Sequence, residues 1–78
     1  MEVTVKLHAQ LRKFAPRKNG DPIQVDVGEG TSVEDLLRAI GVPAEKARLI
    51  IVNGLRGQLS DRLPSGAMVD LFPPIAGG

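Results

Sequence analysis

Seventy-eight residues suffice for one small domain and leave no room for a second core. Ten Lys and Arg against nine Asp and Glu give a net charge of +1, so no global electrostatic attraction to nucleic acid or to an anionic membrane is expected. The lack of cysteine excludes a disulfide staple, a thiolate nucleophile and a cysteine-ligated metal site. Met1 leads directly into Glu2-Val3-Thr4-Val5-Lys6 without the blocks of a signal peptide, and no apolar run approaches the ~20 residues of a membrane helix. The expectation is a soluble cytoplasmic domain.

The first stretch alternates. Val3, Val5 and Leu7 point one way and Thr4, Lys6 and His8 the other, which predicts a half-buried strand. In Ala9 to Ala15, Leu11 and Phe14 lie three apart with Arg12 and Lys13 outward, as in a short helical turn that Pro16 ends. Arg17-Lys18-Asn19-Gly20-Asp21-Pro22 is loop chemistry, with a turn expected at Asn19-Gly20. Ile23, Val25 and Val27 alternate as a second strand, paired with the first as a hairpin.

The best-signalled helix follows. Thr31 or Ser32 can cap it, and Thr31 with Glu34 three residues on fits a capping box. Glu34 and Asp35 complement the positive end of the helix dipole. Val33, Leu36, Leu37 and Ile40 recur at helical spacing and predict one apolar face against a sheet. Gly41 suits a left-handed C-terminal cap, Pro43 prevents continuation, and Pro43 to Ala47 has room for one further helical turn.

Leu49-Ile50-Ile51-Val52 is a continuous apolar run, as in a strand covered on both sides or near the sheet centre. Leu55 to Leu59 is at best a short edge strand, and Leu63 is the expected core plug of a turn-rich stretch from Asp61 to Gly66. In the last strand Val69 and Leu71 alternate with Met68, Asp70 and Phe72. One helix on one face of a mixed sheet of four to five strands satisfies this order, an α+β architecture. The expected division is a domain over 1–72 and an extended tail over 73–78.

That tail is Pro73-Pro74-Ile75-Ala76-Gly77-Gly78. Prolines fix φ and stiffen an extended chain, whereas glycines leave its end thin. Six residues at ~3.1 Å each reach on the order of 18 Å. If Gly78 carries a free α-carboxylate, this geometry suits delivery of that carboxylate into a narrow site on another protein. The competing reading is a frayed terminus, although such tails are usually polar and this one is apolar.

Val69-Asp70-Leu71-Phe72-Pro73-Pro74-Ile75-Ala76-Gly77-Gly78, Ile51-Val52-Asn53-Gly54 and Leu63-Pro64-Ser65-Gly66, set in this element order, look like stretches of the ubiquitin-like β-grasp fold. Within that fold the chain resembles the bacterial and archaeal sulfur-carrier family, which includes the small subunit of molybdopterin synthase and the thiamine-pathway carrier. Phe72-Pro73-Pro74 resembles the molybdopterin branch, whereas Ile75-Ala76-Gly77-Gly78 is shared with thiamine carriers. The turn at Leu63-Pro64-Ser65-Gly66 departs from the family, where it is commonly acidic.

The resemblance implies a protein cosubstrate rather than an enzyme. The Gly78 carboxylate would be adenylated with ATP by a ubiquitin-activating-type adenylyltransferase. A sulfur donor such as a cysteine desulfurase or rhodanese would then convert it to a thiocarboxylate. The tail would pass its sulfur to the pterin precursor inside the large subunit of molybdopterin synthase, in a heterotetramer with two large subunits. Phe72, Pro73, Pro74, Ile75, Ala76 and Gly77 would thread the tail, and Met68 and Phe72 would meet the partner.

Residue chemistry agrees with this picture. An α-carboxylate with a pKa of about 3.5 is ionised and a poor electrophile at neutral pH, so it needs activation. The chain has no Gly-rich phosphate loop, so ATP has to be bound by the partner and no cofactor by the chain itself. Without cysteine it cannot hold a persulfide, and the terminal carboxyl is left as the covalent sulfur site.

Other candidates are weaker. His8, the single histidine, has no cysteine or carboxylate near it in sequence and is expected to be an ordinary surface residue. Ser60-Asp61 lacks a histidine partner and reads as a turn. Arg12, Lys13, Arg17 and Lys18 form a basic cluster, but two phenylalanines are too few for nucleic-acid stacking platforms, which leaves a solvated loop or a docking rim. Met68 and Phe72 lie on the face of the last strand opposite Val69 and Leu71, so either they are exposed for a partner or Met68 is core beneath the loop at Pro64. No metal site is expected. The alternative functions are sulfur transfer for thiamine or cysteine synthesis, a ubiquitin-like modifier joined to lysines through Gly78, and a non-covalent module in which the glycines are idle.

Overall fold

Alternation in the first and last strands sorts their side chains onto two faces of one sheet, and the computed structural model shows how the rest of the chain uses them. It describes residues 1–16 and 21–74. The turn expected at Asn19-Gly20, the cations Arg17 and Lys18, and Ile75, Ala76, Gly77 and Gly78 lie outside the described residues. The elements in order are β1 (Glu2–Leu7), a 3₁₀ turn (Ala9–Phe14), β2 (Ile23–Asp26), α1 (Val33–Ile40), a second 3₁₀ turn (Ala44–Lys46), β3 (Leu49–Val52), β4 (Leu55–Arg56) and β5 (Met68–Phe72).

The five strands form one mixed sheet in the order β2-β1-β5-β3-β4. β1 and β5 run parallel, and the other neighbours are antiparallel. On the helix side the register aligns Ile23, Val5, Val69 and Val52 in one row across four strands, with Leu7, Leu71 and Ile50 in the next. Val5, Val69 and Leu71 are wholly buried there, as are Val33 and Leu36 of the helix, with Leu37, Leu11 and Leu63 sealed around them. The burial of Leu63 matches its expected role as a plug. Ala67, also buried, leads from that loop into β5.

α1 is closed at both ends by local chemistry. Ser32 is its N-cap, and its Oγ accepts from the Asp35 N–H at 3.1 Å. The capping pair is therefore Ser32 with Asp35, not Thr31 with Glu34. Thr31 Oγ instead donates to the Gly28 carbonyl at 2.5 Å, which closes the turn before the helix. The free N–H groups of Val33 and Glu34 donate to the carbonyls of Asp61 and Leu59, both at 2.9 Å, so the loop carrying Leu63 also satisfies the helix start. At the other end Gly41 has φ of 80°, and Val42 N–H donates to the Leu37 carbonyl at 2.9 Å. This is a Schellman ending, which uses a left-handed residue to turn the chain.

β3 is not covered on both sides but takes the other expected placement, next to the central strand β5. It lies one strand from the edge, and of its residues Ile50 is buried while Leu49, Ile51 and Val52 are half-buried. Its apolar run is continuous because one face packs on the core and the other joins an apolar patch on the open side of the sheet. Beyond it, β4 is a two-residue edge strand reached through Asn53 (φ 51°) and Gly54 (φ 82°). Two consecutive positive φ values form the tight hairpin turn that Asn-Gly favours.

Gly41→Ala adds no steric contact, because nothing lies within 4 Å of the new Cβ, so its cost is the left-handed backbone alone. A loss of about 1–2 kcal/mol is expected in a urea unfolding experiment. The Asp35 carboxyl is held below its ordinary value of 3.8, first by the Ser32 side chain, then by the Ser32 backbone and by Arg38. A lowered pKa in the folded state stabilises the protein above the unfolded value, and that contribution is lost as the pH falls through the folded pKa. Ser32→Ala should cost about 1 kcal/mol at neutral pH and move the Asp35 titration upward, as read by carboxyl-carbon NMR.

Candidate functional site

The face of the sheet turned away from α1 carries Thr4 and Lys6 from β1, Met68, Asp70 and Phe72 from β5, Leu49 and Ile51 from β3, and Arg56 from β4. Parallel pairing sets Thr4 beside Met68 and Lys6 beside Asp70, while Leu49 lies opposite Phe72 and Ile51 opposite Asp70. No described helix covers this side, so an apolar patch of Met68, Ile51, Leu49 and Phe72 is left on it. Met68 is 56% exposed, which excludes the reading in which it is core beneath the loop at Pro64. Its backbone is nonetheless fixed: Met68 N–H donates to Asn53 Oδ1 and its carbonyl accepts from Asn53 N–H, both at 2.8 Å.

His8 is the principal correction to the sequence reading. It is not a histidine without partners. Its Nε2 lies 2.9 Å from Asp70 Oδ1, and its ring stacks on Phe72 with centroids 4.1 Å apart and planes 12° apart. A carboxylate only accepts hydrogen bonds, so Nε2 carries the proton in this pair. Both side chains are about three-quarters buried, at 27% and 29% exposure. The partners stand 62 and 64 positions away in sequence (70 − 8 and 72 − 8), which is why local spacing did not reveal them.

Phe72 ends β5, and Pro73 and Pro74 leave the sheet between two shallow grooves. Gln10, Arg48, Leu49 and Phe72 line one. Leu11, Lys13, Phe14 and Lys46 line the other. Lys13 Nζ sits 5.4 Å above the Phe14 ring. Among the described residues, Lys13, Lys46 and Arg48 have no carboxylate within ion-pair distance, so the root of the tail carries a basic rim. Lys13 belongs to the cluster read from the sequence, whereas Lys46 and Arg48 join it only through the fold. Met68 and Phe72 thus share one face at the two ends of β5, and Pro73 and Pro74 continue from the Phe72 end. Ile75, Ala76, Gly77 and Gly78 lie beyond the described residues. Among the described residues no group of three His, Asp or Glu could hold a metal ion, and no helix is long and apolar enough to cross a membrane.

The family model described as Mut7-C ubiquitin matches residues 1–76. The chain belongs to the Mut7-C ubiquitin family. Among solved structures, SAMP1 from Haloferax volcanii is 27% identical, covers 100% of both chains and superposes with a TM-score of 0.74. A putative molybdopterin converting factor subunit 1 from Pyrococcus furiosus is 28% identical over 96% of this chain and 99% of that one, with a TM-score of 0.73. A complex of subunits 1 and 2 of the molybdopterin-converting factor from Helicobacter pylori 26695 contains a chain 21% identical over the full length of both, with a TM-score of 0.60, a likeness of fold. No curated protein sequence matches. The α+β architecture is therefore the ubiquitin-like β-grasp, as the tail and strand motifs implied.

The two faces of β5 differ in kind, and substitution should separate them. Leu71→Ala, on the sealed face, should cost about 2–5 kcal/mol of unfolding free energy. Met68→Ser, three residues earlier in the same strand on the open face, should stay within about 0.5 kcal/mol of the parent. Chemical denaturation of both variants reads the contrast directly.

Proposed function

We propose that the chain is a sulfur-carrier cosubstrate whose reactive atom is the Gly78 carboxyl carbon. The observation that carries the reading is the position of β5. The strand that leads to Gly77-Gly78 is the central strand of the sheet, so the arm starts from a strand paired along both edges, beside an exposed apolar patch and a basic rim. The likeness, at 28% identity over 96% of the chain, to a putative molybdopterin converting factor subunit 1 supports it, together with the Phe72-Pro73-Pro74 element.

In this reading a carboxylate oxygen of Gly78 attacks the α-phosphorus of ATP held by an adenylyltransferase, and pyrophosphate leaves. Sulfide-level sulfur from the donor then attacks the acyl carbon and AMP leaves, which yields the thiocarboxylate. Within a large synthase subunit the thiocarboxylate sulfur bonds to the pterin precursor and displaces an oxygen leaving group, and water then cleaves the acyl–sulfur bond, which leaves the sulfur on the dithiolene and returns the Gly78 carboxylate. That partner is suggested by the two-subunit assembly of the Helicobacter pylori protein, whose small chain shares this fold. Gly77 and Gly78 pass a narrow channel, Pro73 and Pro74 extend the arm, and Met68 and Phe72 meet the partner surface. In this reading the adenylyltransferase holds the nucleotide, and the chain acts as a subunit and cosubstrate in the cytoplasm, where ATP and the donor are present.

A second reading has its own support. The chain is 27% identical over its full length to a protein named as a small archaeal modifier, and the same activated Gly78 carboxyl can form an isopeptide with a lysine. Lysines carrying a Gly78-derived remnant in a proteome digest would establish that use.

Intact-mass measurement after incubation with ATP, sulfide and a ubiquitin-activating-type adenylyltransferase tests the main reading. The expected result is a gain equal to one oxygen replaced by sulfur, absent after deletion of Gly77 and Gly78. Gly78→Val should block it with an unchanged circular dichroism spectrum. Full activity of Gly78→Val would overturn the channel argument, and no gain with an adenylyltransferase active on another carrier would overturn the carrier reading.

A further inference from the structure

The mechanism above uses Phe72 as the root of the arm but gives His8 no task. Yet His8 is held more firmly than a surface residue needs. Its N–H donates to the Leu71 carbonyl at 3.0 Å, and its own carbonyl accepts from Leu11 N–H at 3.1 Å. The next residue, Ala9, adopts φ of 53°, a left-handed conformation that a residue with a Cβ rarely takes and that turns the chain sharply out of β1. From this fixed backbone the imidazole reaches over the Phe72 ring while Asp70 Oδ1 accepts its Nε2–H.

Phe72 is gripped from the other side as well, because its carbonyl accepts from Arg48 N–H at 3.0 Å. With the ring pinned towards β1 and the carbonyl towards β3, the peptide plane entering Pro73 has little freedom. Pro73 and Pro74 fix their own φ values and donate no hydrogen bond, so the direction set at Phe72 is carried outward by two stiff residues. A small rotation at this root is therefore passed on through both prolines.

We propose that His8 is a positioning residue for the tail: oriented by Asp70, its imidazole clamps the Phe72 ring and fixes the direction in which Pro73-Pro74 leave the sheet. The role in catalysis rests on the reading of Gly78 as the reacting end, whereas the clamp itself does not. Losing such pre-organisation makes the partner order the root at each encounter, which raises KM and leaves the acyl chemistry at Gly78 untouched.

The test uses the full chain and three variants: His8→Ala, which removes stack and hydrogen bond; His8→Phe, which keeps an aromatic ring; and Asp70→Ala, which removes the orienting carboxylate. In an aligned medium, the Pro73 and Pro74 Cα–Hα residual dipolar couplings of the parent should fit the orientation of the sheet. In His8→Ala they should fall towards zero, and His8→Phe should restore most of them. With a ubiquitin-activating-type adenylyltransferase, KM should rise about three- to tenfold in His8→Ala, with kcat held within about twofold. Unfolding midpoints are measured alongside, since a merely structural histidine would lower the midpoint and leave the couplings unchanged. Pro73 couplings that are unchanged in His8→Ala would overturn the clamp. Lost couplings with an unchanged KM, or a fall confined to kcat, would overturn its role in positioning. A parent chain that is not adenylated would overturn the reading of Gly78, while the couplings still decide the clamp. If His8→Ala does not fold, the same couplings in Asp70→Ala decide it, since freeing the imidazole should loosen the Phe72 root.

Discussion

The parallel pairing of β1 with β5 is the constraint on which the rest of the structure depends. It joins the first strand to the last described one, and each of the two then carries an antiparallel neighbour on its outer side, β2 on β1 and β3 on β5. Both backbone edges of β5 are thereby paired. On one face its Val69 and Leu71 form the floor beneath α1, with no solvent contact. On the other its Met68, Asp70 and Phe72 organise the open face. Core, apolar patch and tail root are three consequences of a single strand placement.

Much of this is legible in the sequence, for reasons tied to particular residues. The alternation of Val3, Val5 and Leu7, and of Val69 and Leu71, is a two-residue period that only a half-buried strand uses. Gly41 followed by Pro43 marks a helix end, and the Leu63 plug follows from one apolar residue among turn formers. The misplaced capping box arose because Thr31 and Ser32 are both good caps with acids three residues on. The choice fell to Ser32 once Thr31 was taken up by the Gly28 carbonyl. For β3 coverage on both sides stays one of two readings, because a continuous apolar run has the same composition whether its second face meets a helix or an exposed patch.

The candidate site was legible at its tail and not at its root. Phe72-Pro73-Pro74 announces itself as a contiguous motif. The His8–Asp70–Phe72 cluster does not, because it exists only through a pairing of segments more than sixty residues apart. The same holds for the basic rim, where Lys13 from the first 3₁₀ turn meets Lys46 and Arg48 from the second and from the entry to β3. Long-range registers assemble polar constellations that no local window contains, and it is the sheet order that supplies them.

The sheet order also bears on how the protein is made. β1–β2 and β3–β4 are local hairpins, but the strand that joins them into one sheet comes after all of them in the chain. A growing polypeptide can form either hairpin early, yet two hairpins without β5 between them share no ladder, and isolated hairpins are marginal in water. The core floor is likewise missing until Val69 and Leu71 arrive. Folding must therefore wait for a non-local closure, which is slow relative to hairpin formation. Since the arm is attached to that closing strand, a chain whose sheet has not closed cannot present the arm from a rigid base. Assembly of the domain and readiness of the tail become a single event.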